Sequence, residues 1–301
     1  MKLLITGSNG QLGTELLRQL TLKKSPIGMI PVIFESAEVT AVDIDRLDIT
    51  DRDAVLSFTK ELRPDTIINC AAFTNVDACE KQRDVANAVN AKSPGYLAEA
   101  AAEYGAKMIH VSTDYVFSGD AESPRDEDDE TVPNTVYGSS KLAGEKSVLT
   151  TCPNAVVVRT AWLYGYNGNN FVKTILEAAK KNGALKVVND QLGNPTSAVD
   201  VAHHILKLAD SEYNGIFHCT NDGICSWFDF TVEILRLAGI NAVITPCTTA
   251  EYPRPAPRPA YSALSNRRLR ETIGDEMRPW QVAIAEYIQT LSENSSEPLS
   301  K

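Results

Sequence analysis

Tyr137 and Lys141 stand four residues apart, so on a helix they share one face. An ammonium beside a phenol favours phenolate and draws down a pKa otherwise near about 10. A phenol tuned in this way can give a proton to, or take one from, an alcohol or carbonyl oxygen near neutral pH. The apolar run Lys107–Ser112 ends in Ser112-Thr113, whose hydroxyl could complete a Ser/Thr, Tyr, Lys set. A Tyr and a Lys at this spacing recur by chance, and the set gains weight from a second cluster. Thr6-Gly7-Ser8-Asn9-Gly10-Gln11-Leu12-Gly13 places glycines at three-residue intervals between a strand-like run and a helical one. Glycine allows a tight turn and a close approach of the main chain to a pyrophosphate. The helix start adds free N–H groups and a positive dipole end. A plain βα turn with glycines only for packing is the competing description. The position after the first strand of a βαβ pattern favours dinucleotide binding.

A carboxylate near the end of the second strand should hold the adenosine ribose. Asp43 closes the run Val39–Val42, 30 residues after Gly13. The usual separation is about 20, which makes Lys23–Ser36 an insertion. An acid there repels a 2′-phosphate and favours NADH, while Arg46 blurs the preference, so the expected cofactor is NADH or NADPH. Asp48-Ile49 either flanks the adenine or is a surface Asp followed by a core Ile.

The elements that must carry these residues follow from the pattern. Lys2–Thr6, Val39–Asp43, Thr66–Cys70, Lys107–Ser112 and Ala155–Thr160 read as strands. Gln11–Leu22, Val85–Tyr104 and Thr135–Thr150 read as helices between them. This alternation predicts an α/β fold, a Rossmann-type doubly wound parallel sheet with helices on both faces. A smaller C-terminal α/β part should bind substrate. The expected division is 1–160 for the cofactor domain, completed by elements around 185–220, then 161–292 for substrate and 293–301 as a mobile tail. Tyr252–Pro259, with four prolines, cannot be helical.

The chain has 301 residues and a net charge of −10, which argues against wrapping nucleic acid. It leaves room for a small anionic ligand held by local donors. Six cysteines without a C-x-x-C pair read as free thiols in a reducing cytoplasm. No zinc spacing, signal peptide or membrane-length apolar run is present. The run Asp120–Glu130, with seven carboxylates and one Arg, reads as a solvated loop.

The motifs occur in an order that resembles the extended short-chain dehydrogenase/reductases and, within them, the dTDP-4-dehydrorhamnose reductase family. The resemblance rests on Gly7-x-x-Gly10-Gln11-Leu12-Gly13, Asn69-Cys70-Ala71-Ala72-Phe73-Thr74-Asn75-Val76-Asp77 and Ser112-Thr113-Asp114-Tyr115-Val116-Phe117. It continues through Val136-Tyr137-Gly138-Ser139-Ser140-Lys141, Arg159-Thr160-Ala161-Trp162, Gly168-Asn169-Asn170-Phe171, Asp190-Gln191-Leu192-Gly193-Asn194-Pro195-Thr196 and Arg258-Pro259.

The resemblance implies hydride transfer from NAD(P)H to the C4 keto group of dTDP-4-dehydro-L-rhamnose in nucleotide-sugar and polysaccharide biosynthesis. Tyr137 would protonate the alkoxide, Thr113 would hydrogen-bond it, and Lys141 would bind the nicotinamide ribose. Ala71 and Ala72 would touch the cofactor. Thr74, Asn75, Val76 and Asp114 would line the sugar pocket. Trp162 is either a platform for the hexose or a core residue. Asn169 and Asn170 either contact substrate or begin the next helix. Arg258 is the preferred diphosphate ligand, with an exposed loop arginine as the alternative. Some relatives place a divalent ion in an acidic cluster at a subunit interface. Here Glu15 is kept, but Ser197-Ala198-Val199 offers no carboxylate, so no metal is assigned and a homodimer by that route stays open. Two other functions remain in play: a regulatory subunit resembling the β subunit of methionine adenosyltransferase, and a nucleotide-sugar epimerase or dehydratase.

Overall fold

The computed structural model describes residues 1–274 and 276–296. Six parallel strands form the central sheet: β1 (Lys2–Thr6), β2 (Glu38–Val42), β3 (Thr66–Asn69), β4 (Lys107–Thr113), β5 (Ala155–Thr160) and β7 (Gly215–His218), whereas β6 (Ala184–Val188) pairs outside it with β8 (Val243–Cys247). The order across the sheet is β2-β1-β3-β4-β5-β7. The chain therefore reverses direction between β1 and β3, which opens a crevice at their C-terminal ends.

Alternate residues of each strand serve opposite faces. Leu3, Ile5, Ile68, Ile109, Val156 and Val158 pack with α1 (Gln11–Leu22) and α7 (Ala198–Ala209). Leu4, Ile67, Met108 and Val157 pack on the other side with α2 (Arg52–Leu62), α4 (Ser93–Tyr104) and α5 (Val136–Thr151). Burial on both faces explains why the strands read as continuous apolar runs. The C-terminal part has a second core, in which α6 (Phe171–Asn182), α8 (Trp227–Leu237) and α9 (Trp280–Ser296) gather Val172, Phe230, Ile234, Ile284 and Tyr287.

Three local readings change, and the insertion after α1 gains its anchors. The helix expected at Val85–Tyr104 starts at Arg83 and contains a wide π-helical stretch, Asn87–Lys92, ahead of α4. Buried Asn90 lies in it, accepting from Phe73 N at 2.8 Å and donating to Phe73 O and Ser140 Oγ. The insertion after α1 is tied down through Ile30 and Phe34 in the core and by Ser25 Oγ, 2.9 Å from His203 Nδ1. The acidic run is more than a solvated loop. Glu127 is buried and accepts from the backbone N–H groups of His218 and Arg268, while Asp128 pairs with Arg267 and Arg268. Those basic partners lie about 140 residues away, beyond any local pattern. Finally, α9 continues through Ser296, and the rest of the expected tail, 297–301, lies outside the described residues.

Candidate active site

A cavity of about 880 Å³ opens beyond the C-terminal ends of β1, β3, β4 and β5. Its floor is the glycine turn. Gly7 has φ +67°, and a Cβ there would lie 2.5 Å from Ala71 N. A Cβ on Gly13 would lie 2.3 Å from Gly7 O. The turn and the segment after β3 thus touch backbone to backbone, leaving room for hydrogen only. Gly10, Gln11, Leu12 and Ala72 also line the cavity. Ala71 is the residue on which Gly7 rests. The N-cap of α1, Gly10, supplies no side-chain cap, which leaves the first N–H groups of the helix available to cradle an anion. Gly13→Ala is expected to weaken NAD(P)H binding by about 10²-fold, because it displaces this cradle; fluorescence titration of the reduced cofactor checks it.

Asp43 stands at the tip of β2 beside the turn, its Oδ2 accepting from Asn9 N at 3.0 Å and its Oδ1 from Ile44 N at 2.9 Å. Asp48 sits in a surface turn and Ile49 in the core beneath it. Asp48 Oδ1 accepts from Thr50 N and Oγ1, which holds its pKa below the usual value, and Ile49 is buried in the core. Neither is among the cavity's lining residues.

Thr113, Tyr137 and Lys141 all line the cavity and all are buried. The first turn of α5 holds Tyr137. Thr135 caps it by accepting from Gly138 N, and a Cβ on Gly138 would lie 2.1 Å from Tyr115 O, so this turn is seated directly on the segment after β4. Tyr115 meets the Tyr137 ring edge-on at 5.4 Å.

The electrostatics reverse the expected direction for the phenol. Burial pushes the Tyr137 pKa upward, with the Thr113 hydrogen bond pulling the other way and Asp114 and Cys79 adding to the rise. Burying an anion costs more than the neighbouring donor returns. The phenol is therefore neutral at pH 7, which is the form that gives a proton. Burial also lowers the Lys141 pKa to about 8, opposed by Glu145 and Cys70. Asp114 accepts from Thr113 Oγ1 at 2.8 Å, and burial lifts its pKa to about 7 against several hydrogen bonds.

The far wall is aromatic. Trp162, at φ +47°, stacks on Trp227 with ring centroids 3.5 Å apart and planes 5° apart. Its Nε1 donates to Ser262 Oγ at 3.0 Å, and Gly193 makes room for the indole, since a Cβ there would lie 2.6 Å from the ring. Thr74, Val76 and Asp114 line the cavity. Asn75 instead caps α3 (Val76–Lys81), accepting from Ala78 N at 2.9 Å. Asn170 caps α6 and donates to Gln11 Oε1 at 3.1 Å, bracing the glycine turn from behind. Asn169 is exposed, and neither asparagine is a lining residue. Arg258 does line the cavity, but its guanidinium is already paired with Asp77 at 2.9 Å. Among the lining residues that escaped the sequence reading are Trp227, Lys186, Arg254 over the Tyr252 ring at 4.7 Å, and Ser262. Among the described residues no group of three or more His, Cys, Asp or Glu could hold a metal. Glu15 binds Arg18 and Gln19, and Asp200 is paired with Arg278.

The family model of the RmlD substrate binding domain matches residues 1–293. The chain belongs to this family. The spore coat polysaccharide biosynthesis protein SpsK of Bacillus subtilis is 41% identical, over 97% of this chain and 98% of its own. Among solved structures, a dTDP-4-dehydrorhamnose reductase from Clostridium acetobutylicum is 50% identical with a TM-score of 0.92, covering 97% of this chain and 100% of that one. A dTDP-4-dehydrorhamnose reductase from Bacillus anthracis in complex with NADP is 38% identical with a TM-score of 0.89, covering 96% and 99%. The RmlD family membership and the doubly wound sheet agree, and the glycine cradle fits a dinucleotide.

Proposed function

We propose that this chain reduces the C4 keto group of dTDP-4-dehydro-L-rhamnose to give dTDP-L-rhamnose, using NADH or NADPH. The observation that carries the reading is the convergence of Thr113, Tyr137 and Lys141 on one cavity floored by the Gly7–Gly13 cradle. A reduced nicotinamide held there supplies the hydride. The chain's own residues do the rest. Tyr137 gives its phenolic proton to the oxygen on C4 as negative charge develops there, and Thr113 shares the stabilisation of that oxygen. Lys141, one helical turn from Tyr137, would hold the nicotinamide ribose. The Trp162–Trp227 pair offers the hexose an apolar wall. Arg254 brings positive charge to the cavity for the diphosphate, beside Arg258 and Lys186, whose ion pairs with Asp77 and Glu251 would have to share with it, although the whole chain carries −10. Asp43, which accepts from Asn9 N in the glycine turn, would receive the adenosine ribose, and with Arg46 donating to Ala41 O it would favour NADH. The six free thiols suit a reducing cytoplasm. No described helix is long and apolar enough to cross a membrane.

The test mixes purified protein with the 4-keto nucleotide sugar and follows loss of reduced-cofactor absorbance with product analysis. Stoichiometric consumption and dTDP-L-rhamnose are expected. Folded protein that turns over neither cofactor would sink the reading.

A further inference from the structure

Behind the Tyr137–Lys141 face runs a row of buried polar groups with no part in the scheme above. It starts at Ala71 N–H, in the segment that abuts Gly7, which donates to Asn69 Oδ1 at 3.1 Å. The same oxygen accepts from Thr6 Oγ1 at 2.7 Å. Asn69 Nδ2 then meets His110 Nδ1 at 3.1 Å. His110 Nε2 faces Lys141 Nζ at 3.4 Å, and Nζ also donates to Val111 O at 2.7 Å. Asn69 and His110 are fully buried and Lys141 is 2% exposed.

The donor and acceptor roles along this row are forced. A backbone N–H can only donate, so the oxygen of Asn69 must face Ala71 and its amide nitrogen must face His110. An amide nitrogen also only donates, which makes His110 Nδ1 the acceptor. Burial, reinforced by Lys141, holds the His110 pKa well below its ordinary value, so the ring is neutral and has one proton to place. That proton is on Nε2 and points at Lys141. An N–H opposite an ammonium sets donor against donor. The contact is satisfied when Nζ offers a lone pair.

We infer that His110 is a positioning residue for Lys141: locked by Asn69 as the Nε2–H tautomer, it favours the amine form of the lysine and lowers the pH at which the site loses its cation. The groups that face Nζ act in both directions. Burial disfavours the ammonium, while Glu145 on α5 and Cys70 on the segment after β3 favour it; the inferred His110 N–H, 3.4 Å from Nζ, acts in the same direction as burial. Tyr137 on α5 is neutral, and Arg159 on β5 lies behind Glu145, which it binds. The kinetic arm of the test below rests on the reductase reading; the spectroscopic arm does not.

Long-range 1H–15N NMR of the 15N-histidine-labelled protein reads the tautomer directly. With four histidines in the chain, the His110 signals are those missing from His110→Gln. The expected result is an unprotonated Nδ1 and a protonated Nε2, unchanged from about pH 5.5 to 9. An Nδ1–H tautomer, or titration to imidazolium in that range, would overturn the inference whatever the enzyme does. In the pH profile of kcat/KM, the descending limb near pH 8 should move up by about 1 unit in His110→Leu. His110→Gln, whose amide can still donate, should restore it toward the parent. A limb unmoved in folded His110→Leu would also overturn it. Loss of all turnover in the parent protein would sink the reductase reading alone and leave the decision to the NMR.

Discussion

Replacing Tyr137 by Phe is expected to lower kcat by about 10²–10⁴-fold, the range a positioned general acid supplies. The change removes one oxygen from a side chain that is already buried, so the first turn of α5 keeps its Thr135 cap and its contact with Tyr115. Affinity for the reduced cofactor should stay within about twofold, because the glycine cradle and Lys141 are untouched. Single-turnover kinetics with cofactor titration separates the two quantities. Unchanged turnover would contradict the proton-donor role. The upward shift of the Tyr137 pKa sharpens the expectation: a phenol that stays neutral through pH 8 loses no donor capacity over the physiological range.

That shift also marks the limit of what the sequence could convey. Tyr137, Lys141 and Thr113 were legible because each lies in a contiguous motif whose spacing fixes a helix face or a strand end. The glycine turn was legible for the same reason. The sign of the pKa shift was not, since it depends on how completely β4, α5 and the segment after β3 close over the ring. Asn75, Asn170 and Asp48 show a second limit. Asn and Asp accept hydrogen bonds from free backbone N–H groups at helix starts and turns, and they also bind ligands, so residue type alone cannot divide the two uses. Trp227, Ser262 and Lys186 show a third. Trp227 is 65 residues from the Trp162 it stacks on, and only the packing of α8 brings them together. The alternation of strands gave the parallel sheet, while the order β2-β1-β3 depended on how the crossovers pack.

Glu145→Leu should cost about 3–5 kcal/mol of stability, the usual penalty for stranding one member of a buried ion pair. Glu145 and Arg159 are 1% and 2% exposed, joined at 2.7 Å and 3.0 Å, with Ser112 Oγ donating to the same carboxylate. Removing the carboxylate leaves the guanidinium buried among apolar groups, 5.1 Å from the Phe117 ring. Denaturant unfolding should show a lower midpoint at unchanged slope. The double variant Glu145→Leu, Arg159→Met should recover most of the loss, because neither charge then needs a partner. A single variant as stable as the parent would show that the pair contributes little. The same carboxylate supports the Lys141 ammonium one turn away, so any surviving activity should fade at lower pH than in the parent.

The position of β7 has a consequence for how the chain is made. This edge strand pairs with β5, yet it emerges 55 positions after β5 ends. Until Gly215–His218 arrives, the outer rim of β5 presents unpaired N–H and C=O groups on an apolar strand, a ready template for another chain. At ~5–20 residues per second, that interval lasts about 3–11 s on the ribosome. Of the second core, α6 and β6 are synthesised within it, and α8, β8 and α9 follow β7. Nascent chains are thus exposed to wrong pairing before the helices that close the second core have emerged.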